Sequence, residues 1–193
     1  MICLKYGGSI NSRKLLNNLV EEFTDIARIS GWDYEYVSEN FQTMTSGAKK
    51  NVPSKEEVFG SAGADSGEYI TLSSSEVYLD GINLKLSGSS GPVRLTFDRH
   101  GKLATISFCT TDTMGFNSRL TVKKYEFLYH PYVKLYTFSA EKHKQVINIL
   151  DYIKKRYIKN LEVIDTSFYW NNRDEEELKV RMWKASRNRN LTY

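Results

Sequence analysis

Cysteine, histidine and proline are all scarce in this chain: two Cys, three His and three Pro in 193 residues. Cys3 and Cys109 stand in opposite halves, and neither has a C-x-x-C neighbour. That argues against a disulfide framework or a thiolate zinc knuckle, and favours reduced, buried thiols. None of the three histidines stands in an H-E-x-x-H or other two-ligand spacing, so no metal centre and no cofactor are expected. No apolar run approaches the roughly 18 residues that a membrane helix needs. The opening Met-Ile-Cys-Leu-Lys-Tyr-Gly-Gly does not read as a secretory signal, so a soluble, cytoplasmic protein is the expectation. G-x-S-x-G is missing as well. The glycine-containing stretches Ser46–Lys50 and Gly60–Gly67 do not reach the phosphate-loop spacing and read as linkers.

What is present is aromatic and periodic. With 13 Tyr, 9 Phe and 3 Trp among recurrent Leu, Ile and Val, the chain has the means to bury one core. Charge is unevenly spread. Residues 1–97 carry 9 Lys/Arg against 12 Asp/Glu, whereas residues 98–193 carry 18 against 11. Most of the excess lies between Arg119 and Lys159, where ten cations face three acids. Such a run reads as a solvated helix face or as a surface for an acidic partner.

Helical spacing of Leu15, Leu16, Leu19, Val20, Phe23, Ile26, Ala27 and Ile29 after Asn11 or Ser12 predicts a helix over 12–30. Ser30-Gly31 closes it, and Glu21, Glu22 and Asp25 should face water. A strand follows at Trp32–Val37. Residues 38–68 turn polar and read as a long surface loop, with Ser54–Glu57 as a capping box inside it. Asp80-Gly81 between apolar runs reads as a hairpin turn. A second hairpin turns through Arg99-His100-Gly101, and 109–121 reads as a polar connection.

Further strands are predicted at 125–129 and 132–138. Ser139 should cap a helix over 140–158 with Val146, Ile147, Leu150, Ile153 and Tyr157 on its apolar stripe. After a last strand at Leu161–Ile164, a terminal helix begins near Asn172, and the tail after about 187 should fray. The whole reads as one α+β domain over residues 1–193. It is expected to have two layers: a mainly antiparallel sheet of six or seven strands with both long helices on one face and the terminal helix at an edge.

Three functional readings follow. The leading one is a non-catalytic binding protein that engages a macromolecular partner, a protein by preference, through a polar sheet face, the 38–68 loop or the basic helix. Lys85, Arg94, Lys134, Tyr136, Lys155 and Trp170 are its partner-binding candidates. Strand alternation would expose Asn83, Lys85, Arg94, Thr96, Thr105 and Lys134 together. The cluster Phe168-Tyr169-Trp170 with Trp183 reads as an interface anchor or as a staple for the last helix.

The second reading places a ligand or hydrolytic site in a cavity between sheet and central helix. His143 falls on the apolar stripe there, and His130, Glu126 and Asp98 are potential neighbours. The competing reading of His143 is a core histidine satisfied by hydrogen bonds. The third is nucleic-acid binding along 140–159 through Lys142, Lys144, Lys154, Lys155, Arg156 and Lys159, with affinity that falls steeply with salt.

Overall fold

The computed structural model describes residues 1–41, 77–86, 91–114 and 121–187, without the side chains of 108–127. The strands are β1 (Ile2–Gly7), β2 (Asp33–Phe41), β3 (Val77–Lys85), β4 (Val93–Phe97), β5 (Thr105–Met114), β6 (Thr121–His130), β7 (Val133–Thr137) and β8 (Glu162–Asp165). The helices are α1 (Arg13–Ser30), α2 (Ala140–Arg156), α3 (Tyr169–Asn172) and α4 (Glu175–Arg187). The class is α+β with antiparallel pairing, as the patterning predicts. The expected single sheet of six or seven strands is replaced by three small ones, ordered β7-β1-β8, β2-β3-β4 and β5-β6. The 42–68 part of the predicted loop, the Ser54–Glu57 box and the tail after 187 lie outside the described residues.

Contacts divide the chain into two compact units. One comprises Met1–Asn40, Val77–Thr105 and Pro131–Tyr193, the other Phe41–Glu76 and Ile106–His130. The second unit contains the β5-β6 ladder, so residues 109–114 continue a strand where a polar connection was expected. The first contains both three-stranded sheets and all four helices.

Local signals account for the helices. The Ser12 hydroxyl accepts from the Leu15 amide at the start of α1, and Gly31 closes it at φ 65°, donating to the Ala27 and Arg28 carbonyls. Leu16, Leu19, Phe23 and Ala27 are buried, whereas Ile29, predicted on the same stripe, is 88% exposed on the last turn. The Ser139 hydroxyl caps α2 by accepting from Lys142 N. Phe23 and Tyr152 meet edge to face at 6.0 Å between the two helices. Glu22, expected on the wet face of α1, is half-buried and accepts from the Tyr152 and Tyr157 hydroxyls and from Arg156.

Burial alone would raise the Glu22 carboxyl pKa. The two phenols and the guanidinium outweigh it and hold the group below the usual carboxylate range. Asn172 does not begin α4 either. Arg173 sits at φ 57° and breaks the chain there, and the Asp174 carboxylate accepts from Glu176 N and Glu177 N as the actual cap.

The alternation holds in β3 and in the first three residues of β4. Ile82, Leu84, Leu86, Val93, Leu95 and Phe97 are buried, while Lys85 and Arg94 are exposed. The Asp80-Gly81 turn does not form. Gly81 lies inside β3 opposite Thr96 with φ 150°, and a Cβ there would sit 2.0 Å from the Leu95 carbonyl oxygen. Its lack of a side chain lets β4 approach; it does not reverse the chain. The Arg99-His100-Gly101 turn does form, held by Asp98 Oδ1 accepting from His100 N at 2.8 Å and Lys102 N at 2.9 Å.

The free edge of β4 explains why no continuous sheet arises. The buried Tyr6 hydroxyl accepts from Arg94 N at 3.2 Å and donates to Arg94 O at 3.0 Å, occupying a ladder position that another strand would need. Beyond it, the isolated bridges Phe97–Leu103 and Ser9–Lys102 link the end of β4 and the end of β1 to the 101–104 segment, before the chain leaves at Thr105 to pair β5 with β6.

Two substitutions test this reading. Gly81→Ala should lower stability by more than about 2 kcal/mol in chemical denaturation, through φ strain and collision with β4. Tyr6→Phe, which keeps the ring but orphans the Arg94 amide and carbonyl, should cost about 1–3 kcal/mol by the same measurement.

Candidate functional site

The densest polar cluster of the described residues surrounds His143. Its position on the inner stripe of α2 points the ring at the sheet, where β7 ends in Thr137 and β8 ends in Asp165. Thr137 Oγ1 lies 2.8 Å from His143 Nδ1. Asp165 Oδ2 and Ser167 Oγ each lie 3.1 Å from Nε2. Ser167 also bonds the carboxylate directly: its hydroxyl donates at 2.7 and 2.8 Å, and its amide donates to Oδ1 at 2.8 Å. Trp170 N donates to Oδ2 at 2.9 Å, and Tyr169 N donates to Ser167 Oγ at 3.3 Å.

The acceptor character of the carboxylate places a proton on Nε2, and in the neutral ring Nδ1 then accepts from the Thr137 hydroxyl. The side chains of His143 and Asp165 are both wholly inaccessible to solvent. Burial on its own would raise the Asp165 pKa. The hydrogen bonds from His143, from Ser167 twice over and from Trp170 N together prevail and bring it down to about 2.

A serine, a histidine and an aspartate thus stand together, but not in a nucleophile's order. A catalytic histidine links the acid and the hydroxyl through its two different nitrogens, so that one orients the ring while the other removes a proton. Here acid and hydroxyl share one nitrogen, and the hydroxyl donates its hydrogen bond to the acid. The arrangement is a buried brace. Asp165 forms the turn into α3, and His143 ties that turn to α2 and β7.

Sequence reading found His143 but missed Thr137, Asp165 and Ser167. The signal was the Asp-x-Ser spacing of 165–167, a turn-and-cap pattern just before the aromatic cluster.

The other candidates scatter. His130 lies in the second unit, with Nε2 2.8 Å from Ser107 Oγ, and the Glu126 side chain is outside the described residues. Asp98 and His100 serve their turn. Among the described residues no group of three or more His, Cys, Asp or Glu could hold a metal ion. A shallow groove of about 310 Å³ runs between α1 and α2, lined by Phe23, Ile26, Trp32, Gln145, Asn148, Ile149 and Tyr152, so it does not include His143.

The partner-binding candidates also separate. Lys85 and Arg94 belong to the β2-β3-β4 sheet, Lys134 and Tyr136 to β7-β1-β8. Thr96 and Thr105, expected outside, are buried because their hydroxyls donate to the Ala104 and Tyr132 carbonyls. Trp170 is half-buried, with Lys154 and Arg173 over its ring at 5.5 and 5.0 Å, and it staples α3 onto α2. The exposed members of that aromatic group are Phe168 and Trp183.

Along α2 the cations are engaged within the chain. Lys144 pairs with Glu175 at 2.9 Å, Arg156 with Glu22 at 3.2 Å, and Lys142 donates to Gln145. Lys154 stacks on Trp170, and Lys159 donates to the Lys155 carbonyl. Lys155 is exposed on the same helix.

The outer face of β7-β1-β8 is different. Antiparallel register sets Lys5 directly opposite Lys134 and Cys3 opposite Tyr136, with Lys5 also opposite Ile164 on β8. Lys5 Nζ lies 3.8 Å from the Tyr132 ring centre. Burial chiefly raises the Cys3 thiol pKa, partly offset by Lys134 and by a hydrogen bond with Tyr136.

Comparison with protein-family models, curated proteins and solved structures finds no match, so geometry alone carries the functional argument. No helix of the described residues is long and apolar enough to cross a membrane.

The brace makes a signed pH prediction. Because the Asp165 carboxyl is held down to about 2 in the folded chain against an ordinary value of 3.8, its stabilisation is fully present above about pH 4 and drains away as pH falls toward 2. It amounts to about 2 kcal/mol. Asp165→Asn should lower stability at pH 7 by about 2 kcal/mol or more, since an amide must turn a donor toward a donor. It should also flatten the acid limb in urea titrations collected between pH 5 and 2.

Proposed function

We propose that this chain is a non-catalytic binding protein of the cytoplasm that holds an acidic segment of a protein partner against the outer face of β7-β1-β8. The supporting observation is the cross-strand pair of Lys5 and Lys134, flanked by Tyr132 and Tyr136. Two side chains of like sign set side by side on one face are electrostatically complementary to an acidic side chain of a partner laid across them. Tyrosines beside the lysines add flat, low-entropy contact area, and Ile164, 62% exposed on β8, supplies an apolar contact. Lys85 and Arg94 form a smaller polar surface on the other sheet.

A protein partner is favoured over nucleic acid because Lys144 and Arg156 are paired with Glu175 and Glu22 and Lys154 covers Trp170, which interrupts a phosphate track along α2. Catalysis at His143 is disfavoured by the closure of its network to solvent.

The test is affinity capture from the native cell with wild-type chain and with the double reversal Lys5→Glu/Lys134→Glu, with and without nuclease. The wild type should retain an acid-rich protein regardless of nuclease, and the variant, folded by circular dichroism, should retain it about tenfold less or worse. Equal retention by both baits, or loss on nuclease treatment, defeats the reading.

A further inference from the structure

Helix α4 has two unlike sides. Leu178 is fully buried, and Met182 and Ala185 are half-buried against the body. The opposite side presents Glu176, Val180, Trp183 and Arg187. These fall at i, i+4, i+7 and i+11 and so form one stripe along the helix. Val180 is 50% and Trp183 53% exposed, and the Glu176 side chain is 81% exposed although Lys179 pairs with it at 2.6 Å. The Arg187 guanidinium lies 4.0 Å from the Trp183 ring centre, which places its charge at the end of the apolar pair.

The order of this stripe is acid, apolar, apolar, base, and it is symmetric about the midpoint between Val180 and Trp183. A two-fold axis through that midpoint, perpendicular to the helix, would set Val180 against Trp183 of a second copy and Glu176 against Arg187 of that copy, each contact occurring twice. Self-complementarity of this kind is what an isologous interface requires. The antiparallel arrangement also brings the positive end of each helix dipole beside the negative end of the other.

We infer that α4 is a self-association surface, on which a second copy of this chain packs its own α4 antiparallel along Glu176, Val180, Trp183 and Arg187. The occupant is a second copy because the pattern complements itself end for end; a foreign helix would have no reason to match that palindrome. Two large apolar side chains per copy bury less than a standard interface, so the dimer is weak, with a Kd on the order of 100 µM. The inference uses a different surface from the acidic-partner reading and does not depend on it.

The test is sedimentation equilibrium of the full chain from about 10 µM to 1 mM, a span chosen to bracket that Kd. Wild type should pass from monomer toward dimer. Glu176→Arg alone and Arg187→Glu alone each create two like-charge contacts and should weaken association about tenfold or more. An equimolar mixture of the two variants restores both opposite-charge contacts and should associate at least as well as wild type. That rescue also shows that neither variant failed by unfolding. A wild-type chain that remains monomeric throughout, single reversals that associate unchanged, or a mixture that stays monomeric overturns the inference. Trp183 engaged by a different protein, with no self-association, overturns it equally.

Discussion

The Asp165 carboxylate is the constraint around which the C-terminal part of the chain is organised. It ends β8, accepts the amides that start the turn into α3, and accepts a hydrogen bond from His143 Nε2 on α2. Removing such an ion from water is expensive, and the cost is met here only because several donors converge on the two oxygens at once. Everything that follows Asp165 inherits its position: the αL residue Phe168, the short α3 with its half-buried Trp170, and α4, whose inner side rests on the body while its outer stripe stays exposed.

A comparable economy of polar groups operates at the edge of β4. One tyrosine hydroxyl satisfies both the amide and the carbonyl of Arg94, and this single contact lets two three-stranded sheets share a core without sharing a ladder. Between the helices, Glu22 does the same work by gathering two phenols and a guanidinium. Glu22, which looked outward in a helical projection, is turned inward by partners far away in sequence.

The functional consequence is a division between closed and open chemistry. Among the described residues, the Ser167, His143 and Asp165 constellation has the residue types of a hydrolase, but it is sealed and its hydrogen bonds hold elements together. The open surfaces carry lysines, tyrosines and exposed apolar side chains, the materials of recognition. Of the α2 cations so prominent in the charge count, Lys144 and Arg156 meet acids of α4 and α1 and Lys154 covers the Trp170 ring, whereas Lys155 is exposed.

Residues with short-range causes were readable without coordinates. Ser12 and Ser139 cap their helices because a hydroxyl finds an amide three residues on, and Leu84, Leu95 and their neighbours go inside because strand side chains alternate. His143 on the inner stripe of α2 was legible for the same reason. Its partners Thr137, Asp165 and Ser167 were not, since up to 24 residues separate them from the ring and only the packing of β7 and β8 brings them within reach. Gly81 was misread because a glycine that admits a neighbouring backbone and one that turns the chain carry the same letter. The split into small sheets likewise depended on where Tyr6 lands. Sequence by itself determined elements and faces, which follow from caps and periodicity. Tertiary structure alone decided which polar groups would be spent inside and which left for a partner, because that is settled by contacts between distant segments.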